Sequence, residues 1–378
     1  MSANTDAVND ETPAPSISRC RLDELDDLLR FRSAVHGEGS IFADEGYLRW
    51  MYLGHPAADR AAISCWTCRS PNGRVIGQIG GYPVGLRIDD EQAGAFWTLD
   101  GAVEPAQRGQ GVFGRLLEPA AAERDVAMVT ESSPSGKKAM LRAGWIDLGT
   151  LPIFVRPLRI SAMLQTRGRR ALSSTVGLAA DVVLWSADRL ARLACAVASL
   201  DLEEITRFDG RTDAIWEKAS RSYRVICRRD SATLNWRFVD FPKSRYRSFY
   251  LRRGGEPIGN AVLHLGSRGG DPAGTIVDFL CEPRWLAGLL ALCLLWFRTE
   301  GMTTVCCLHR NPVSTVAFAA LGFARRDTGW PFLANPRSVS AAALALLGEP
   351  GNWFLTGADS DLDRPRSEDV QSAQSRTK

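Results

Sequence analysis

The sequence has few of the features that mark membrane, secreted or metal-binding proteins. Its longest apolar run is the 13 residues from Trp285 to Phe297, and spanning a bilayer takes about 20. It has only four histidines, and none of them forms a His-x-x-x-His or His-Glu pair. Its nine cysteines, an odd number, lack the spacing of a disulfide framework or a zinc site. We therefore expect a buried helix at 285–297, reduced thiols, no metal and no integral membrane span.

Charge of one sign is also scarce. Lys plus Arg number 46 and Asp plus Glu 43, so the net charge is only +3 and gives no argument for a nucleic-acid partner. The N-terminus lacks the basic and apolar segments of a signal peptide, which leads us to expect a cytoplasmic protein. With 378 residues, of which 45% are hydrophobic, the chain can bury a sizeable core and is long enough for two domains.

The pattern of polar and apolar segments divides the chain into five parts. Residues 1–18 and 346–378 are interpreted as polar tails, the first of them disordered. Residues 19–158 and 201–345 each show strand-like runs, a helix and a closing strand. Residues 159–200 predict a helical linker that packs on the protein. The alternative for this linker is a basic amphipathic segment lying on a membrane or under a lipid-linked substrate.

The two larger blocks are related by an internal repeat. Pro105 to Gly144 spans 39 residues, as does Pro283 to Gly322, and a Trp-to-Pro spacing of six recurs at 50–56 and 236–242. Ungapped matches between the copies include the pairs Asp100/Asp278, Glu104/Glu282, Pro134/Pro312 and Ala139/Ala317. Glycines of the first copy are replaced in the second by Ala287, Leu289 and Leu292. We infer a duplication in which only the first copy has kept a glycine-rich loop.

That loop is the segment "EPAQRGQGVFG", residues 104–114, which follows a strand-like run and precedes a helix-like one. In a strand–glycine turn–helix arrangement, backbone N–H groups and the positive end of the helix dipole converge on phosphate oxygens. The segment lacks the Gly-Lys-Ser/Thr of a Walker motif. It satisfies Gly-x-Gly-x-x-Gly, but antiparallel-looking strands precede it, unlike a dinucleotide-binding βαβ unit. The structural alternative is a tight turn that needs glycine only for its backbone conformation.

The run "VEPAQRGQGVFGRLL" resembles motif A of the GNAT superfamily of acyl-CoA N-acyltransferases. The sixth motif position holds Phe113, where the family has Gly or Ala. The resemblance implies an α/β fold of two GNAT-like domains in a pseudo-symmetric tandem, each a mixed, mostly antiparallel sheet flanked by helices. It also implies acetyl-CoA or another acyl-CoA as cosubstrate. The residues implied in its binding are Val103, Arg108, Gly109, Gln110, Gly111, Val112, Phe113 and Gly114.

In that chemistry an amine attacks the thioester directly and needs a base. Strand periodicity puts Asp100 and Glu104 on one face beside the loop, which makes them the base candidates. The structural alternative for such an acid is to cap a turn or to pair with Arg108. The Tyr that usually serves as the family's acid is missing, so Ser133 and Ser135 are the candidates for protonating the leaving group.

Aromatic and basic residues alternate in residues 235–250, where Trp236, Arg237 and Tyr246 could bind a sugar or anionic glycan. Packing in the core explains the aromatic residues of this segment equally well. The resemblance implies an amine acceptor in the form of an amino sugar or polysaccharide precursor. Two alternatives stay open at this point: a FemAB-like aminoacyl transferase, and a non-catalytic acyl-CoA-binding or scaffold protein.

Overall fold

The computed structural model describes residues 15–58, 63–166, 173–242, 246–360 and 363. The first half contains β1 (Ser16–Arg19), α1 (Leu25–His36), α2 (Glu45–Leu53), β2 (Cys65–Arg69), β3 (Val75–Ile88), β4 (Glu91–Val103), α3 (Val112–Ala121), β5 (Val126–Thr130), α4 (Pro134–Arg142) and β6 (Ile146–Pro157). The connection contains α5 (Ile160–Thr166), a π-helical turn (Ser173–Gly177) and α6 (Leu178–Val197). Short 3-10 turns lie at Leu22–Glu24, Ile41–Ala43 and Pro105–Gln107.

The second half repeats this order. It contains β7 (Leu200–Ile205), α7 (Gly210–Ala219), β8 (Val225–Cys227), α8 (Ser231–Leu234), a π-helical turn (Asn235–Val239), β9 (Tyr246–Arg253), β10 (Glu256–Arg268), β11 (Asp271–Cys281), α9 (Pro283–Thr299), β12 (Thr304–Arg310), α10 (Pro312–Ala320), β13 (Ala324–Pro336), α11 (Ala341–Leu347) and β14 (Trp353–Thr356). Further 3-10 turns lie at Ser220–Ser222 and Pro350–Asn352.

A continuous sheet joins the two halves, and its centre contains an exchange of strands. The order runs β1-β2-β3-β4-β5-β13-β6-β12-β11-β10-β9-β7, with β8 and β14 paired off this path. Strand β13 of the second half therefore pairs with β5 of the first half, and β6 of the first half pairs with β12 of the second. The two exchanged strands also pair with each other. The sequence boundary at residue 158 thus does not separate two independent sheets.

The Trp-to-Pro repeat lies where the halves meet. The indoles of Trp50 and Trp236 stack with ring centroids 5.0 Å apart. Trp50 Nε1 donates to the carbonyl of Trp236 at 2.7 Å, and Trp236 Nε1 donates to that of Trp50 at 2.9 Å. Both buried N–H groups are satisfied reciprocally, so the repeated residues act as a symmetric contact between the halves.

The apolar run at 285–297 forms most of α9, which buries Leu286, Leu290 and Phe297 in the core of the second half, as the sequence predicts. Within the described part of the chain, no helix combines the length and apolarity needed to cross a membrane. All nine cysteines are free and buried. Over the same described ranges, no group of three or more His, Cys, Asp or Glu side chains is arranged to hold a metal ion.

Both segments interpreted as tails contain ordered structure. Residues 16–19 form β1, which pairs with β2 along its whole length. Trp353–Thr356 form β14, a fully buried strand that pairs with β8 and β12. The interpretation of this segment as a tail was therefore wrong at β14, a short apolar strand with polar residues on both sides. Residues 1–14 and 364–378, the remaining ends of the two tails, lie outside the described residues.

Candidate functional site

The first half contains an open cleft where two parallel strands diverge. β4 and β5 pair over Ala95–Trp97 and Val126–Met128, and Thr98 Oγ1 donates to the carbonyl of Met128 at 2.9 Å. A cleft of about 1030 Å³ lies beyond this point, lined by residues 98–103 of β4 and 129–132 at the end of β5. Its other walls come from the end of α1, the glycine loop and α4.

A bulge in β4 accompanies the divergence. Gly80 faces Leu99 across the β3–β4 ladder and Gln78 faces Ala102, so β4 carries one extra residue at this place. Asp100 adopts a left-handed conformation there, with φ of +53°, which is uncommon for any residue other than glycine. Because the bulge interrupts strand alternation, residues on its two sides no longer share a face.

The glycine loop presents bare backbone to one end of the cleft. Gly109 and Gly111 have φ of +82° and +75°, and Gly111 is the N-cap of α3. A Cβ built on Gly109, Gly111 or Gly114 would meet nothing within 4 Å, so the first turn of α3 borders open space. The first N–H groups of a helix have no acceptor within it, and together with the helix dipole they favour an anion. The loop thus has the left-handed glycines of the structural alternative, and its bare helix start leaves room for an anion.

Two positive side chains line the cleft that this helix start borders. Arg108 and Arg142 are exposed and both line the cleft. Arg108 Nε donates to the carbonyl of Val103 at 3.2 Å, which holds its stem against the end of β4. Gln110 is exposed and donates to the carbonyl of Ala106, and it is not among the residues that line the cleft. Two arginines beside free helix N–H groups are suited to a phosphate or pyrophosphate group.

The departure from the motif at Phe113 has a structural counterpart in Gly101. The Phe113 ring packs against the β4 bulge, where a Cβ on Gly101 would lie 2.8 Å from a ring carbon. A Cβ on Gly136 of α4 would lie 3.9 Å from the same ring. Phe113 and Val112 also line the cleft, so the aromatic ring forms part of its wall without closing it.

Asp100 lies at the cleft, but a cation already holds its carboxylate. Arg32 of α1 donates to it at 2.9 Å, and the two side chains are 0% and 4% exposed. Arg32 also donates to Gln78, to the hydroxyl of Tyr52 and to the carbonyl of Phe42. The carboxylate therefore joins α1 to the bulge of β4, which is a positioning role.

Glu104 does not line the cleft, which corrects the prediction that it shares a face with Asp100. Its two carboxylate oxygens accept from the guanidinium of Arg74 at 2.6 and 2.8 Å, on the outer side of the sheet. The hydrogen bonds from Arg74 lower the pKa of Glu104, so this carboxylate is a weaker base than a free one. Of the structural alternatives, an ion pair is therefore what the structure shows, with Arg74 as the partner in place of Arg108.

Ser133 and Ser135 both line the cleft, at the start of α4. Ser133 is the N-cap of that helix, and its Oγ accepts from Gly136 N at 3.1 Å. The two hydroxyl oxygens are 3.1 Å apart. Ser133 thus has a local structural role, whereas Ser135 is exposed to the cleft beside it.

Sequence reasoning missed His36, the last residue of α1. It lines the cleft, and its Nε2 is buried without a hydrogen-bond partner. Burial lowers the pKa of His36, nearby Arg32 lowers it further, and Asp100 partly opposes both. The ring is therefore neutral at pH 7 and can accept a proton. No spacing in the sequence connects it to the loop, because only the docking of α1 on β4 brings it there.

Two hydroxyls of the cleft wall, like His36 Nε2, are buried without a hydrogen-bond partner. Thr130 Oγ1 and Ser132 Oγ are buried and have no hydrogen-bond partner, and both residues line the cleft at the end of β5. Buried polar atoms normally find a partner, so the cleft contains unused hydrogen-bonding capacity for a ligand or for water.

The predicted acceptor residues lie elsewhere. Trp236 stacks on Trp50 between the two halves, and Arg237 is buried, with donor contacts to the carbonyl of Ser360 and to Asp363. Tyr246 donates to the same Asp363 carboxylate at 2.6 Å. These three predicted residues do not line the cleft, and the packing interpretation of this segment fits their surroundings.

In the second half, a strand fills the equivalent cleft. β11 and β12 pair only over Ala273–Thr275 and Thr304–Cys306, as β4 and β5 do in the first half. β14 lies beyond this point and pairs with the end of β12, with Thr356 facing His309. Thr356 Oγ1 donates to Asp278 at 2.7 Å, and Asp278 also accepts from the buried Arg229. Within the described residues, the glycine loop and an open cleft thus occur together in the first copy and not in the second.

Known structures superpose on this architecture of two related halves in one sheet. A GCN5-related N-acetyltransferase from Anabaena variabilis superposes with a TM-score of 0.59 at 10% identity, over 85% of this chain and 73% of that chain. The chain has the GNAT fold. The N-myristoyltransferase of Saccharomyces cerevisiae, in a structure with bound myristoyl-CoA, superposes with a TM-score of 0.54 at 11% identity, over 87% of this chain and 86% of that one.

A GCN5-related N-acetyltransferase from Kribbella flavida is similar to the same extent, with a TM-score of 0.55 at 12% identity, over 85% of this chain and 71% of that one. No known family profile matches the sequence, and no curated protein matches it at a significant level. The resemblance read from the glycine loop is thus confirmed at the level of fold, including the tandem arrangement.

Proposed function

We propose that the protein is an acyl-CoA-dependent N-acyltransferase whose first half binds the cosubstrate. The observation that carries this proposal is the cleft between the diverging strands β4 and β5, with the bare helix start of α3 at one end. In coenzyme A a pyrophosphate joins the adenosine nucleotide to a long, mostly uncharged arm, and the cleft offers a complementary site for the pyrophosphate and for the arm. The GNAT fold of the chain supports the same chemistry.

The parts of the cleft have distinct roles in this proposal. The first N–H groups of α3, with Arg108 and Arg142, bind the pyrophosphate. The apolar wall, which includes Val129 and Met140, contacts the uncharged arm. Backbone N–H groups of β4 beyond Thr98, where pairing with β5 has ended, are available to donate to the carbonyl oxygen of the acyl group.

His36 is the base that the geometry favours over Glu104. An alkylamine has a pKa of about 10 and must lose a proton before it can attack. His36 Nε2 is buried in the cleft wall without a hydrogen-bond partner. The lowered pKa of His36 keeps the ring unprotonated, so Nε2 is free to accept the proton of the amine. Asp100, paired with Arg32, holds α1 against the bulge and so positions His36. Ser135 remains our candidate for the group that protonates the leaving thiolate.

The proposal extends to the acceptor and the acyl group. Acetyl-CoA is the proposed cosubstrate, and an amino sugar or polysaccharide precursor in the cytoplasm is the proposed acceptor context. These finer assignments rest on the resemblance of the sequence to tandem GNAT-like proteins. A FemAB-like aminoacyl transfer is disfavoured, because it gives no role to an open coenzyme A cleft.

Calorimetric titration with acetyl-CoA tests the cosubstrate site. Gly114→Trp should weaken binding at least about tenfold, because Gly114 has open space around it in the cleft and a bulky side chain would fill that space. Gly210→Trp is the matched control, since Gly210 also has nothing within 4 Å and lies at the start of α7, away from the cleft. Absence of binding by the wild type, to acetyl-CoA and to longer acyl-CoAs, would overturn the proposal.

An amine screen that monitors the released thiol then tests catalysis. His36→Gln should lower kcat about 10²- to 10⁴-fold, the usual contribution of a general base, and leave the affinity for acyl-CoA unchanged. An unchanged kcat would remove His36 from this role. Acyl-CoA binding without turnover of any amine would favour the non-catalytic binding protein instead.

A further inference from the structure

The connecting helix α6 exposes a broad apolar face. Seven large apolar side chains are each between 51% and 89% exposed, and at 100° per residue they occupy one arc of about 160°. They are Leu178, Val182, Val183, Trp185, Leu190, Leu193 and Val197. Single exposed apolar residues are normal on a protein surface, whereas a contiguous face of this width marks a contact site.

The opposite face of α6 is fixed to the protein. Cys195 is buried, and its thiol lies 3.8 Å from the carbonyl of Gly288 in α9. Asp188 is buried as well, and it pairs with Arg156 at 2.5 Å and with Arg298. The helix thus has a packed inner face, and its exposed outer face carries large apolar side chains, the reverse of the usual arrangement of a surface helix.

The charges of α6 are distributed between its faces by sign. Its two acids are directed inward, because Asp188 is buried in ion pairs and Asp181 accepts from the backbone N–H groups of Ile160 and Ser161. Its two basic residues, Arg189 and Arg192, are exposed. The exposed charge of this helix is therefore wholly positive.

From this arrangement we propose that the outer face of α6 lies in the interface of an anionic lipid membrane. The apolar side chains enter the boundary between headgroups and acyl chains, and the two arginines pair with lipid phosphates. Trp185 suits this depth, since an indole prefers the interface, and the Arg189 guanidinium lies over its ring with 4.7 Å to the centroid. At 20 residues, the helix presents about 30 Å of length to the surface.

The same charges disfavour a second copy of the chain as the occupant. A two-fold contact places the same patch on both partners. Two α6 faces would then bring four arginines into the contact, and the helix has no outward acid to pair with them. Lipid phosphates supply the missing partners. This proposal does not depend on the proposed enzymatic activity.

Co-sedimentation of the full chain with vesicles tests the proposal. The wild type should bind vesicles of phosphatidylcholine mixed with phosphatidylglycerol, and it should bind phosphatidylcholine alone at least about tenfold more weakly. The triple variant Val182→Ser/Leu190→Ser/Leu193→Ser should lose at least about tenfold in partitioning to the anionic vesicles, since it removes three apolar side chains from the contact. Val313→Ser/Val316→Ser on α10 is the matched control, because these valines are also exposed, at 53% and 75%.

The double variant Arg189→Gln/Arg192→Gln provides a second test that leaves the apolar packing unchanged. It should weaken binding to anionic vesicles and remove most of the salt dependence of that binding. A wild type that stays in the supernatant overturns the proposal. So does an α6 triple variant that binds as well as the α10 control. A wild-type dimer that becomes a monomer in the triple variant, without vesicle binding, would assign the face to a second copy.

Discussion

Replacing Arg32 with methionine should destabilise the protein by about 3–5 kcal/mol, the usual cost of removing one partner of a buried ion pair. The Arg32 side chain is fully buried and that of Asp100 is 4% exposed, so solvent cannot replace the lost cation. The substitution also removes the donors to Gln78, to the Tyr52 hydroxyl and to the Phe42 carbonyl. A methionine fills much of the same volume, so most of the cost comes from the unpaired carboxylate and the other unsatisfied acceptors.

Urea unfolding followed by far-UV circular dichroism measures this cost. Arg30→Met is the matched control, because Arg30 lies in the same helix, is 73% exposed and pairs with the partly exposed Asp27. It should cost less than about 1 kcal/mol, as surface ion pairs do. The double variant Arg32→Met/Asp100→Asn should be more stable than Arg32→Met alone, because it leaves no buried charge unpaired. The reasoning would be refuted if Arg32→Met cost no more than Arg30→Met.

Two further predictions concern a buried histidine and the glycine loop. Burial lowers the pKa of His55 to about 4, below the value of about 6.5 in an unfolded chain, so its contribution to stability is present above pH 6.5 and is lost as the pH falls to 4. His55→Asn can still accept from Ala57 N, as His55 Nδ1 does. In urea titrations, the variant should lose about 3 kcal/mol less unfolding free energy than the wild type between pH 6.5 and 4. An unchanged dependence of the unfolding free energy on pH would contradict this. Gly111→Ala should destabilise by about 1–2 kcal/mol because of its φ of +75°, whereas Gly114→Ala, inside α3, should stabilise by up to about 1 kcal/mol; equal melting temperatures would contradict the role of the left-handed conformation.

The features that the sequence predicts correctly are those encoded locally or by repetition. The duplication follows from the constant spacing of Pro105/Gly144 and Pro283/Gly322, and the GNAT fold is what the resemblance of the glycine loop to motif A implies. The exchange of β6 and β13 is not predictable in this way, because it is a pairing between segments about 170 residues apart that no local pattern or repeat spacing encodes. The prediction that Asp100 and Glu104 share a face was wrong because of the bulge in β4, and no residue pattern in the sequence indicates that bulge. His36 was missed because a tertiary contact, and no spacing, brings it to the cleft.

The strand β14 that fills the second cleft was not predictable from the sequence either. Glycine loss at 287, 289 and 292 correctly indicates that the second copy has lost the loop. It gives no sign that β14 occupies the gap between β11 and β12, since β14 is only four residues long and lies among polar residues. Short buried strands near polar chain ends carry too little periodicity to be separated from a tail.

The strand exchange imposes an order on how the chain can acquire its structure during synthesis. β5 is wholly buried in the finished protein, yet its partner β13 follows about 200 residues later. At ribosomal rates of 5–20 residues per second, the apolar edge of β5 waits roughly 10–40 s for that partner. An unpaired edge of this kind invites pairing with other chains, so we expect the nascent chain to need protection by a chaperone. For the same reason, the first half expressed alone would have an open sheet edge at β5.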